Sequence, residues 1–441
     1  MSAVFRRTTM PDPPRAKSAE GVWVVDDAGR RYLDAAGGAI VVNVGHGRTE
    51  VATAIAEQSA SVGYVHPTAF TTDVLEQYAE DLAPFLPMRD PRVYPVSGGS
   101  EAVETALKLA RSFHLSRGES ERHKIVARGA SYHGNSRGAL DVSGRASLRA
   151  PYEVWLGQTL RTEPVYEYRC PLPGHPVACG LAHAAALEEL FEREDPATIA
   201  AFIAEPIGGA TLAGAVPPDD YWPAIVDVCR RHGVLVIADE VMTGFGRTGT
   251  WFGVDHWAVQ PDILVAGKGT ASGYWPLGLC VASGSVFDSV SKTGFVHGFT
   301  YSHHPVGAAA GRAVLGLLVA ENLIEASAVR GLQLLEALRL RLSDSPYVGD
   351  VRGSGLLVGI EFVKDRERRE PFDRSARFTE RLTAAAKDLG LLLYPSTGCA
   401  DGRNGDAVLL GPPFVISAEE VEMAADRTAL ALERTVEQLD R

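Results

Sequence analysis

Val234-Leu235-Val236-Ile237-Ala238-Asp239-Glu240 is an unbroken apolar run that ends on two acids. Its five apolar residues suit a strand better than a helix, and valine and isoleucine dominate it. A strand that is apolar at every position is buried on both faces, as in a parallel sheet between helices. Comparable runs stand on either side, at 125–127, 199–204, 263–266 and 279–282. Helical stretches separate them, at 101–116, 183–193 and 221–232. This alternation predicts an α/β fold with a large, mostly parallel sheet covered on both faces.

The flanks read differently. Residues 22–25 and 31–33 alternate around Asp26-Asp27-Ala28-Gly29, the pattern of a β-hairpin. Beyond Pro305 a long helical stretch reaches about residue 342. Strand-like runs at 356–362, 391–394 and 408–410 follow, with helices near 379–389 and 418–439. This part is α+β in character, and it reads as a second, smaller domain.

The 441 residues suggest two or three structural units. Hydrophobic residues at 46% and charged residues at 22% are ordinary globular usage, which excludes disordered, collagen-like and coiled-coil chains. A net charge of -12 argues against a general binder of nucleic acid or of anionic membrane. No stretch approaches the roughly 20 apolar residues of a membrane span. Arg6 and Arg7 are followed by Pro11-Asp12-Pro13-Pro14 instead of an apolar core, so a signal peptide is not expected and a cytoplasmic location is.

The five cysteines form no CxxC. Cys170 and Cys179 bracket His175, but that spacing matches no common zinc pattern. Free thiols in a reducing compartment are expected, and no metal.

Three features carry chemistry. Ser97-Gly98-Gly99-Ser100-Glu101 opens a helix with bare backbone, a hydroxyl and free N–H groups, which suits a phosphate. A plain N-cap is the alternative. Asp239 sits at the C-terminal end of a buried strand, where open α/β sheets bind ligands. Lys268 stands between Gly267 and Gly269 at the end of another strand. Phosphate cradle, acid and lysine together form the minimum kit for pyridoxal 5'-phosphate (PLP): lysine makes the Schiff base, and the acid keeps the pyridine nitrogen protonated. Tyr132-His133-Gly134 offers an aromatic cover for the ring.

Taken with Gly45-His46-Gly47-Arg48, Ala204-Glu205-Pro206-Ile207, Thr243–Gly249, Phe299-Thr300-Tyr301 and Pro412-Pro413, these motifs resemble the class III (ω-) aminotransferases, which are fold-type I PLP enzymes. The resemblance runs from about residue 21 to 439. It implies that Lys268 is the Schiff-base lysine and proton shuttle, and that Asp239 pairs with the pyridine nitrogen. Val241 and Tyr132 would cover the two ring faces, with His133 beside Tyr132 at the cofactor. Gly99 and Ser100 would bind phosphate. Thr300 would reach the phosphate of a neighbouring subunit, which implies a homodimer with shared active sites. Glu205 matches a position near the cofactor that some members use to hold or release a carboxylate-binding arginine.

The implied activity is transamination of an ω-amino acid, a β-amino acid or an amine with a 2-oxo acid, pyruvate or 2-oxoglutarate, in a ping-pong cycle. A lyase, racemase, aminomutase or decarboxylase of the same fold is the alternative. Two positions depart from the pattern. Leu409 stands where amino-acid-specific members place an arginine, which leaves Arg403 as a candidate for the oxo acid's carboxylate. Ile40 stands where amine:pyruvate members often carry tryptophan, so the substrate pocket is expected to differ in shape. The implied organisation is an N-terminal segment, 1–50, packing with a small α+β domain, 311–441, around a large PLP-binding α/β domain, 51–310.

Overall fold

A seven-stranded sheet carries the middle of the chain, in the order Arg92–Val96, Gly278–Ala282, Ile263–Ala266, Leu235–Asp239, Ile199–Ala204, Lys124–Arg128, Leu160–Thr162. This computed structural model describes residues 3–6, 13–157, 159–172, 174–175 and 178–439. Only Gly278–Ala282 runs antiparallel to its neighbours. The three central strands are buried at every position. The side-chain period of two sorts them between two cores. Leu235 and Ile237 pack with Ala102, Val103 and Ala106 of the helix Gly99–Ser116. Val236 and Ala238 face the other way, in the core that also holds Leu187, Phe191 and Trp222 from the helices Cys179–Glu194 and Tyr221–Arg231. The strands expected at 125–127, 199–204, 263–266 and 279–282 are present, each extended by no more than a residue at either end.

Two four-stranded sheets stand outside this layer. The hairpin Trp23–Asp26 with Arg31–Asp34 forms as expected, with Ala16–Glu20 added antiparallel at its edge. On the other side Leu391–Leu392 pairs parallel with Leu33 and Asp34, so the two ends of the chain share one sheet. The strand expected at 391–394 therefore splits. Its second part, Tyr394–Thr397, joins Asp406–Leu410, Leu357–Phe362 and Val348–Ser354 in an antiparallel sheet. The long helix from Pro305 is two helices, Pro305–Ala320 and Leu323–Leu342, bent by 65°. Asn322 makes the break in a left-handed conformation, φ 51°, which asparagine tolerates better than most residues. Among the described residues no single helix is long and apolar enough to cross a membrane.

A buried arginine joins these parts. Arg247 donates to the carbonyls of Leu356 (2.9 Å), Pro412 (2.8 Å) and Val42 (3.2 Å) and to Asn43 Oδ1 (2.7 Å), and lies over the Phe414 ring. Its charge is spread over four neutral oxygens drawn from both chain ends.

Candidate active site

The parallel strands all end on one edge, and the functional side chains stand just past those ends. Asp239 closes Leu235–Asp239, Glu205 follows Ile199–Ala204, Lys268 follows Ile263–Ala266, and Tyr132 and His133 lie beyond Lys124–Arg128. Strand parity decides which acid enters the site. Asp239 continues the side of Leu235 and Ile237, toward the start of the helix Gly99–Ser116. Glu240 takes the opposite side, where its carboxylate accepts from Gly253 N (2.8 Å), Val254 N (2.9 Å) and the Thr243 hydroxyl. Burial pushes Glu240 up to about 7 despite those donors. Glu240 thus anchors a turn, and Asp239 is left for chemistry.

Asp239 is buried and paired. Its Oδ2 lies 2.6 Å from His133 Nδ1, and its Oδ1 accepts from Val241 N at 3.0 Å. His133 Nε2 is buried without a hydrogen-bond partner. An N–H at Nδ1 pointing to the carboxylate fixes the ring's orientation.

Lys268 adopts a left-handed backbone, φ 47°, a strained conformation of the kind concentrated at functional sites. Burial pushes its ammonium down to about 8, against the pull of Asp239 and Glu205. Glu205 accepts from Tyr132 N (3.3 Å) and Gly209 N (3.2 Å), and burial raises its carboxyl above the usual range.

The helix Gly99–Ser116 begins without a side-chain cap. Its first N–H groups therefore keep their binding capacity, next to the Ser100 hydroxyl. Glu101 reaches back to Ser97 N (2.9 Å), away from that turn. A Cβ on Gly99 would stand 2.9 Å from Val241 Cγ1, and one on Gly134 would stand 2.5 Å from Ser100 Oγ. Both places need glycine for close packing.

Gly99, Ser100, Tyr132, His133, Glu205, Asp239, Val241 and Lys268 line one cavity of about 170 Å³. Ala210 and Met242 line it too, and sequence reasoning missed both. Met242 directly follows Val241, and Ala210 closes the turn after Glu205, so proximity to the motifs was the available signal. A larger cavity of about 580 Å³, walled by Tyr94, Phe287 and Phe295, holds no lysine beside a buried carboxylate.

Three expected residues lie away from this cavity's lining. Ile40 is buried, with φ 56° that a β-branched residue rarely adopts, and packs with Ala210, Met242, Tyr166 and Leu409 behind the wall. Arg403 is exposed in the turn whose backbone is held by Asp401. Thr300 is exposed, and its carbonyl accepts from the Tyr64 hydroxyl at 2.9 Å.

Chemically, the cavity offers an anion site at a helix start, a buried acid for a cationic ring nitrogen, and a lysine poised near neutrality. This donor set fits PLP: one end takes a phosphate, the other a pyridinium, and the amine stands between.

The fold is that of the fold-type I PLP-dependent transferases. The chain belongs to the class III aminotransferases: the family profile "Aminotransferase class-III" matches residues 6–432. It is 38% identical over 413 residues to the uncharacterized aminotransferase YodT of Bacillus subtilis, covering 93% of this chain and 92% of that one. An (S)-enantioselective ω-transaminase from Thermomicrobium roseum superposes with a TM-score of 0.90 at 37% identity, over 99% of this chain and 96% of that one. The ω-transaminase of Pseudomonas jessenii in complex with PMP does so at 0.90 and 31%, over 97% and 94%. Transamination is this family's reaction, and PLP is its cofactor.

Proposed function

We propose that this chain transfers the amino group of an ω-amino acid, a β-amino acid or an amine to pyruvate or 2-oxoglutarate, in a ping-pong cycle on PLP. The observation that carries it is the meeting of Lys268, the Asp239–His133 pair and the uncapped helix start in one cavity. When bound, PLP supplies an electron sink for the carbon that bears the amine. Asp239, oriented by His133, holds the proton of the ring nitrogen. Gly99 and Ser100 would take the phosphate, and Val241 and Tyr132 would cover the ring. Lys268 Nζ would hold the cofactor and would move the proton from the substrate carbon. A pKa near 8 suits both halves of that task, because the amine gains and loses a proton easily near neutral pH. Thr300 serves the phosphate of the partner's site in a homodimer. The division into 1–50, 51–310 and 311–441 belongs to the same reading.

The choice of substrate class rests on Leu409. It is fully buried on Asp406–Leu410 and offers no charge to a donor's carboxylate, so Glu205 has no guanidinium to hold at that position. Donors without an α-carboxylate are favoured for that reason. Arg403 is assigned to the carboxylate of the oxo acid, and Ile40 to the shape of the pocket wall.

The test is a panel of amine donors offered with pyruvate and with 2-oxoglutarate. The protein loaded with PLP is expected to absorb in the visible, to lose that band on adding an effective donor, and to regain it with the oxo acid. Lys268→Ala should abolish turnover. Continued turnover with no acceptor present, beyond one product per site, would establish the lyase or decarboxylase alternative instead.

A further inference from the structure

The segment after Leu160–Thr162 passes Tyr166 and Tyr168 and re-enters the fold as the helix Cys179–Glu194. Three soft donors meet where it turns. Cys170 Sγ lies 3.8 Å from Cys179 Sγ and 3.8 Å from His175 Nε2. All three donor atoms fall within 4.8 Å of one another, on half-buried residues. A tetrahedral zinc centre has bonds of about 2.3 Å to sulfur and about 2.0 Å to nitrogen, which sets S···S edges near 3.8 Å and S···N edges of about 3.6 Å. The Cys170–Cys179 edge has the first length, and the Cys170–His175 edge comes close to the second. Disulfide sulfurs stand about 2.0 Å apart, well inside the separation seen.

The spacing that argued against zinc in the sequence measures separation along the chain. The helix start and the turn before it replace that with proximity in space.

We propose that Cys170, His175 and Cys179 bind one thiophilic divalent cation of the zinc class, with the fourth position left to solvent. Binding releases the two thiol protons to solvent and leaves two thiolates and a neutral imidazole on the metal. The cation acts as a clip and takes no part in amino transfer. It ties the segment carrying Tyr166 to the helix. Tyr166 packs with Ala210 and Met242, which line the active-site cavity, so the clip steadies that wall from behind.

The test is elemental analysis of tag-free, PLP-loaded protein purified without chelators. It needs no turnover, so it stands apart from the transaminase reading. The expected result is about one zinc per chain, falling tenfold or more in Cys170→Ser and in Cys179→Ser. A cysteine substitution also disturbs local packing, so the wild type carries a second measurement. A mercurial thiol reagent should release zinc to a chromogenic chelator as two thiols are blocked. The other three cysteines are buried and do not compete. Two outcomes overturn the proposal. One is protein free of metal that also fails to keep zinc after incubation and desalting. The other is a native peptide map with Cys170 and Cys179 joined in a disulfide, lighter by two hydrogens.

Discussion

Lys268 pays for its position in stability, and the cost depends on pH. Burial holds its folded-state pKa near 8, below the 10.5 of an exposed lysine. The unfolded chain therefore binds the proton more tightly. The cost of the buried charge is full below about 8, shrinks as pH rises, and vanishes near 10.5. Replacing the amine with an apolar side chain of similar length removes it. Lys268→Met, compared with wild type in cofactor-free form, is expected to be about 1–3 kcal/mol more stable at pH 7, after allowing for the side chain's partial exposure. Denaturant melts at pH 7 and pH 10 measure this. A gain that stays the same at both would show that the ammonium carries no burial cost. Asp239 has no such freedom, because His133 Nδ1 and Val241 N already occupy two of its oxygen positions. The acid is aimed before any ligand arrives.

At the scale of elements, the start of the helix Gly99–Ser116 is the most demanding piece. Gly99 does not need glycine for its backbone angles. It needs glycine for space, since a methyl there would stand 2.9 and 3.0 Å from the two Val241 methyls. Gly99→Ala should displace Val241, which is proposed to cover the ring, at an overpacking cost of about 1–3 kcal/mol. The expected result is faster loss of PLP on dialysis, followed by the visible band, with a smaller loss of melting temperature. Unchanged retention would remove Val241 from the ring face. The same elements show what a sequence reveals. Strands apolar at every residue, such as Ile199–Ala204, were legible because only a doubly covered sheet buries both faces. Arg92–Val96 was not, because an edge strand with Arg92 and Pro95 lacks that pattern. Leu160–Thr162 is too short to carry one. In the candidate site, Lys268 and Asp239 stood out as charges among glycines and apolar residues. Ala210 and Met242 carry no chemistry and enter the cavity only through the fold. The bend at Asn322 had a local sign, an asparagine after an apolar helix, that periodicity overrode.

At the scale of the whole molecule, the cavity lacks the residue expected from a second chain. Thr300 lies on the surface, away from the lining of its own site. Beside it stand two exposed aromatic rings, Tyr64 at 43% and Tyr301 at 61% of full exposure, packed edge to face. Neighbouring exposed rings of this kind are what a subunit contact would cover. A second copy seated there would cover the rings and carry each Thr300 to the opposite phosphate. Sedimentation should then report twice the 47.1 kDa of one chain. Thr300→Ala should keep that mass and lose about tenfold in PLP affinity, the worth of one hydrogen bond to a charged group. Tyr301→Glu puts a charge on the face and should yield monomers that hold PLP weakly. The two variants separate assembly from contact: one weakens binding within an intact dimer, the other by taking the dimer apart. A monomeric Tyr301→Glu protein that binds PLP as tightly as wild type would show that each chain completes its own phosphate site, and Thr300 would lose its assigned role.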